Sequence, residues 1–224
     1  MNWQDKGYLL SLNKYNENSS IAEFYTENNG KIVGVIFGST SKKIKSYLLI
    51  GNKFHINSKI REDGRLGYLK VEIDEIKTPV YLENKKKLFC IIYCMNLVKI
   101  LTAENENNIE IYNLLEKLFK IIQLDNWLVE FLYLELNILK SIGYDINFKD
   151  YVVDKNINGQ TKYIVDSSKK IIPNFLIDKN ISPENLKDIY SGFSIVGDFL
   201  DKTIIKPNNK SYPSSRNDFI NLLK

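Results

Sequence analysis

Thr78-Pro79 divides the chain into two hydrophobic periods, and no other feature constrains the fold as much. Before it, from Trp3 to Ile76, short apolar runs are cut by turn residues, the pattern of a small all-β unit. Runs at Gly7 to Leu12, Ile21 to Thr26, Lys31 to Phe37, Lys53 to Lys59 and Tyr68 to Ile76 predict five strands. Asn28-Asn29-Gly30, Gly38-Ser39-Thr40-Ser41, Gly51-Asn52 and Asp63-Gly64 separate them and supply positive φ or local side-chain capping. Five strands in so short a stretch suggest a closed or nearly closed barrel such as the OB-fold, because closure removes exposed sheet edges.

Beyond Pro79 apolar residues recur at helical spacing. A first helix is expected from about Leu82 through about Ala103, with Leu88, Ile91, Ile92, Met95, Leu97, Val98 and Leu101 in its stripe. Asn107 or Asn108 can cap a second, containing Ile111, Leu114, Leu115, Leu118, Phe119 and Ile122. Asp125 can cap a third that stops at Gly143, and three striped helices on short loops predict an antiparallel bundle. From about Tyr151 to Ile172 strand-like alternation returns around Asn158-Gly159, which predicts an inserted hairpin. Ser182-Pro183-Glu184 reads as a helix start, with a break at Ser191-Gly192, resumption from Ser194 to Ile205, and a terminal helix from Ser214 to Leu223. The expected class is α+β: a five-stranded OB-fold barrel over residues 1–79, then a helical domain over residues 80–224 with a hairpin insertion near 151–172.

Net charge is only +4, but its distribution is informative. Residues 28–61 hold Lys31, Lys42, Lys43, Lys45, Lys53, Lys59 and Arg61 and no aspartate or glutamate, in a chain whose totals are 31 basic and 27 acidic residues. Lysines near phosphates release condensed counterions, which gives affinity that tolerates any sequence and falls steeply with salt. Ser39, Thr40 and Ser41 add short hydroxyl donors suited to phosphate oxygens. Phe37, Tyr47 and Phe54 fit either base stacking or the barrel core; the core is the expected place for Phe37 and Phe54, and for Tyr47 the two stand even. A lysine-rich composition alone also produces solvated basic surfaces, so the stretch by itself marks a candidate nucleic-acid grip.

Catalytic arrangements are scarce. The sequence has no GxxxxGK[ST] loop, no GxGxxG after a strand and no HExxH, and His55 is its single histidine, on an expected strand. Cys90 and Cys94 lie four apart in an apolar run, where a core role on one helix face is expected over a redox or metal role, and two thiols do not complete a four-ligand zinc site. The expectation is a binding protein without catalytic residues, metal or cofactor. No basic segment followed by an apolar one opens the chain, and no run reaches the ~18 apolar residues of a membrane span. A reducing, cytoplasmic location with no membrane partner is expected.

The residues also resemble the bacterial RecO recombination-mediator family. Trp3, Asp5 and Gly7 in an opening W-x-D-x-G, the G-K-I-V-G-V-I-F-G-S-T-S-K run from Gly30, L-G-Y-L-K-V-E at 66–72, and L-E-L-N-I-L-K-S-I-G-Y from Leu134 to Tyr144 are similar to its pattern. Gly192-Phe193, Gly197, Phe199-Leu200, Pro213, Arg216 and Phe219 are similar to its closing helices. The resemblance implies an OB-fold and a helical domain that bind single- and double-stranded DNA and anneal complementary strands. It implies partnership with RecR and with the tail of single-strand-binding protein, and through them help to RecA in DNA repair, with nucleoid association during repair. Lys31, Lys42, Lys43, Lys45, Lys59 and Arg61 are the expected DNA contacts. Many members carry a four-cysteine zinc ribbon before the last helices; residues 151–172 hold no cysteine, so a zinc-less hairpin is expected here. Thr40 stands where the family usually has an arginine. An RNA-binding OB protein in translation or RNA processing is the rival reading.

Overall fold

The computed structural model describes residues 2–59, 66–157, 160–165 and 171–224. Strands β1 (Asn2–Lys14), β2 (Ser19–Thr26), β3 (Gly30–Phe37), β4 (Lys53–Lys59) and β5 (Tyr68–Glu75) close into a barrel in the order β1-β2-β3-β5-β4. Every pairing is antiparallel except β3 with β5, a parallel contact at Val35 and Tyr68 that completes the closure. The five expected strands are all present, with β1 longer at both ends than its apolar run. A four-residue helix, α1 (Lys42–Lys45), fills the connection between β3 and β4.

Alternation along the strands builds the barrel interior. Leu9, Ala22, Phe24, Ile32, Phe54 and Ile56 are buried together, and Phe24 meets Phe54 edge to face with centroids 5.6 Å apart. β1 departs from simple alternation, because Tyr8 and Leu10 are as buried as Leu9 between them. An outer face this apolar needs a cover. The Tyr8 ring stacks on Phe119 at 5.5 Å and approaches Tyr112 at 6.0 Å.

Those two rings lie on α3 (Ile109–Ile121), which follows α2 (Lys85–Leu101). By compactness α2 and α3 belong with the barrel: one unit comprises Met1–Gln123 and Pro213–Phe219, the other Leu124–Tyr212 and Ile220–Lys224. The expected three-helix bundle is therefore divided, with α4 (Trp127–Ser141) in the second unit. The apolar outer face of β1 is the physical reason, since it takes α2 and α3 as its cover. Asn108 caps α3 through its side chain. Asn126, not Asp125, precedes α4, and Gly143 follows that helix with φ +95°. Cys90 and Cys94 are wholly buried on α2.

In the second unit β6 (Val152–Ile157), β7 (Gln160–Val165) and β8 (Ile171–Ile172) form a three-stranded antiparallel sheet, one strand more than the expected hairpin. The Asn158-Gly159 turn lies outside the described residues. A short α5 (Asn174–Ile177) leads to α6 (Leu186–Leu200), which Asn185 caps through bonds from the Lys187 and Asp188 amides. Ser182-Pro183 thus lies before the helix, and α6 runs unbroken through Ser191-Gly192. Gly192 is there for space: a Cβ would stand 2.7 Å from Leu132 Cδ2 and 3.1 Å from Phe175 Cζ. The glycine lets α6 approach α4 closely where a break was expected. A π-helical turn at Asp201–Ile205 continues α6, and α7 (Ser214–Asn221) closes the chain.

Candidate nucleic-acid interface

The acid-free stretch separates into buried and exposed lysines. Lys31 is the second residue of β3 and is only 9% exposed. Its ammonium donates to the main-chain oxygens of Lys99 and Thr102, at 3.0 and 2.5 Å, where α2 runs out of internal partners for its last carbonyls. Lys53 is also buried, and its ammonium pairs with Glu116 at 2.5 Å and Glu75 at 3.4 Å. Burial alone would lower the Lys53 pKa, but Glu116 and Tyr112 outweigh it and hold the group above the ordinary lysine range. Both charges are spent inside the first unit.

Lys42, Lys43 and Lys45 occupy three of the four positions of α1, are exposed, and form no ion pair with a described residue. The fourth, Ile44, turns inward and packs on the barrel core, which holds the turn in place. Ser41 precedes the helix without a side-chain cap bond. The neighbouring hydroxyls are occupied. Ser39 is buried and shares a 2.8 Å hydrogen bond with Ser20, while Thr40 donates to the Glu17 carbonyl at 3.1 Å. Ser39 is thus a strut of the barrel, and the phosphate-donor role expected of it has no exposed hydroxyl behind it.

Lys59 is exposed at the end of β4, opposite Tyr68 on β5. Arg61 lies outside the described residues. Beside Lys59 the barrel opens into a groove of about 780 Å³. Buried Ile36, Leu69 and Val71 form its floor; Trp3, Phe37 and Tyr68 are its aromatic walls, and Ile44 of α1 reaches its edge. Phe37, expected in the core, is 57% exposed, because it stands one residue past Ile36 on the outward side of β3. Phe54 is in the core as expected, and Tyr47 is half-buried against it. The sequence pattern does not mark Trp3 or Tyr68 as groove residues, because each lies at the start of a strand, where alternation has not yet shown its phase.

The W-x-D-x-G opening has a structural meaning. Trp3 lines the groove, and Asp5 binds the β2–β3 turn, accepting from the main-chain amides of Asn28 and Asn29 at 3.0 and 3.1 Å and from both their side-chain amides. Burial would raise the Asp5 pKa; the hydrogen bonds from Asn29, Asn28 and Lys6 outweigh it and lower the group below its ordinary value. Gly7 permits a close approach of β1 to β2, since a Cβ there would stand 2.7 Å from the Tyr25 carbonyl oxygen.

Among the described residues no three or more histidine, cysteine, aspartate or glutamate side chains gather as metal ligands. Residues 151–172 offer no cysteine, and both cysteines of the chain are buried in α2, so the donor set does not fit a zinc ribbon. His55 is half-exposed and pairs with Asp74 at 2.9 Å. No helix among the described residues is long and apolar enough to cross a membrane.

A family model described as recombination protein O N terminal matches residues 1–75, and one described as recombination protein O C terminal matches residues 82–187. A DNA repair protein RecO from Ehrlichia chaffeensis is 28% identical over 174 residues, covering 77% of this chain and 70% of that protein. Two proteins of the same name from strains of Rhodopseudomonas palustris are 26% and 24% identical, each over 66% of this chain; the matches span 58% and 59% of their own lengths. With its barrel matched from the first strand and its helical part matched into α6, the chain belongs to the RecO family.

Proposed function

We propose that the chain is a DNA repair and recombination mediator that holds single- and double-stranded DNA by its phosphates and brings complementary strands together without chemistry. One observation carries the reading: Lys42, Lys43 and Lys45 stand exposed and unpaired with any described residue on a single turn, within a stretch free of acidic side chains. Lys59 extends this surface along β4, and Arg61 is assigned to it on sequence alone. Lys31 is left out, because its ammonium serves α2. Family membership supports the rest of the reading. With RecR, the protein helps RecA replace single-strand-binding protein on DNA, and its helical part takes the acidic, apolar tail of that protein. It works in the cytoplasm, at the nucleoid during repair.

The test is annealing of complementary DNA strands coated with the cognate single-strand-binding protein. Wild-type protein accelerates annealing, and Lys42→Glu/Lys43→Glu/Lys45→Glu loses the acceleration while keeping its fold by circular dichroism. Annealing by that variant at the wild-type rate would overturn the assignment of α1. Binding to RNA with no annealing of coated DNA would favour the RNA-processing reading instead.

A further inference from the structure

The groove beside α1 has a chemistry that phosphate contacts do not use. Along β5 an aromatic ring at Tyr68 is followed two positions on by a cation at Lys70, and Lys59 on β4 is the cross-strand partner of Tyr68. Phe37 leans on Tyr68 with ring centroids 4.8 Å apart, and more than half of its surface meets solvent. Among the described residues, no aspartate or glutamate lines the groove. Lys70 does pair with Glu72 at 3.3 Å, but both side chains are mostly exposed, so the pair is weak and easily exchanged.

An exposed phenylalanine leaning on a half-buried tyrosine leaves an apolar face in water. A protein ligand could cover such a face, but Lys59 and Lys70 among the described lining residues favour a partner that is flat, apolar on its faces and anionic on its edge. Unpaired nucleotides have that description, and duplex DNA does not, because its base faces are already stacked. Ile44 lines the same groove, which brings α1 to its edge. A strand whose phosphates follow α1 would turn its bases toward Phe37, Tyr68 and Trp3.

We infer that this groove is a base-stacking subsite that selects unpaired over paired nucleic acid. The inference rests on the reading of the barrel as a nucleic-acid holder and adds to it the strand state that is held. Phosphate contacts on α1 serve both forms of DNA; the groove adds affinity only for strands with free bases. Strands held with their bases stacked on a protein are kept apart and unfolded, as pairing with a complement requires.

Anisotropy titrations with the full chain distinguish the two levels of the reading. Base–aromatic stacking is worth ~1–3 kcal/mol per base, so Phe37→Ala and Tyr68→Ala should each weaken binding of a short oligothymidylate by roughly 5- to 150-fold. Both should leave affinity for a duplex of equal length unchanged, and Phe37→Trp should retain oligothymidylate binding. An abasic oligonucleotide should bind wild type and both alanine variants alike. In a Trp127→Phe background Trp3 is the sole tryptophan, and its emission should be quenched by oligothymidylate but not by the abasic strand. If oligothymidylate binds with lysine dependence yet Phe37→Ala and Tyr68→Ala change nothing, the stacking subsite is overturned and the phosphate grip stands. If wild-type protein binds no nucleic acid at low salt, the grip itself fails.

Discussion

Lys31 and the α1 lysines carry the same charge, but the structure gives them opposite consequences on substitution. Lys31→Met keeps the length and the buried stem and removes only the ammonium. Two bonds to the last carbonyls of α2 are lost, at 3.0 and 2.5 Å. Hydrogen bonds to charged groups contribute ~1.5–3 kcal/mol each, and a cation at a partly buried helix end up to ~2 kcal/mol. Removing the ammonium also ends the cost of keeping it out of water, so a net loss of about 2–3 kcal/mol is expected. With a urea slope of ~1–3 kcal/mol/M, the unfolding midpoint should fall by about 1–2 M. Lys42→Ala/Lys43→Ala/Lys45→Ala should shift stability by no more than ~0.5 kcal/mol, because all three side chains are exposed. In a salt titration of single-stranded DNA binding the triple variant should lose about 2 units of slope, at ~0.7 per phosphate contact, and Lys31→Met none. A Lys31→Met protein with an unchanged urea midpoint and a flattened salt slope would refute this division of labour.

Asp5→Asn should cost about 1–2 kcal/mol, since the turn at Asn28 and Asn29 loses a charged acceptor for four donors. Because the folded Asp5 pKa lies below the unfolded value, its contribution is complete above pH ~3.9 and is lost as pH falls through the folded pKa; urea midpoints in acid should show this decline in wild type and not in Asp5→Asn. Gly7→Ala places a methyl group against the fixed main chain of Tyr25, and thermal melts should show a loss of ~1–3 kcal/mol. Gly192→Val forces Leu132 and Phe175 aside in the second unit and should cost a similar ~1–3 kcal/mol, read as faster proteolysis of that unit, with DNA affinity unchanged.

The barrel was legible because it rests on local signals. Its turns fall at glycine and asparagine positions, with Gly30, Gly38 and Gly51 all at positive φ, and its interior follows alternation along most of the strands. What was not legible depends on contacts between distant segments. No local pattern shows that Tyr8 and Leu10 need a cover on the outside of the barrel, so the helices that supply it were placed in a bundle of their own. Gly192 has the composition of a helix break, but only the approach of Leu132, sixty positions earlier, shows it to be a packing glycine. Lysine is equally ambiguous in sequence: Lys31 and Lys42 differ in whether a helix end or water faces them.

The stretch from Asn28 to Arg61 lacks acidic residues for two separate reasons. At Lys31 and Lys53 the compensating groups come from outside the stretch, from α2 carbonyls and from Glu75 and Glu116, so a local carboxylate would compete with them. Around α1 a carboxylate would pair the lysines with one another's neighbours and spend the charge that phosphates are proposed to use. The structural pairing and the proposed phosphate contacts thus disfavour the same residue types in one segment. Only Lys42, Lys43, Lys45 and Lys59 of its described cations remain turned to solvent, beside the groove that Phe37 and Tyr68 line.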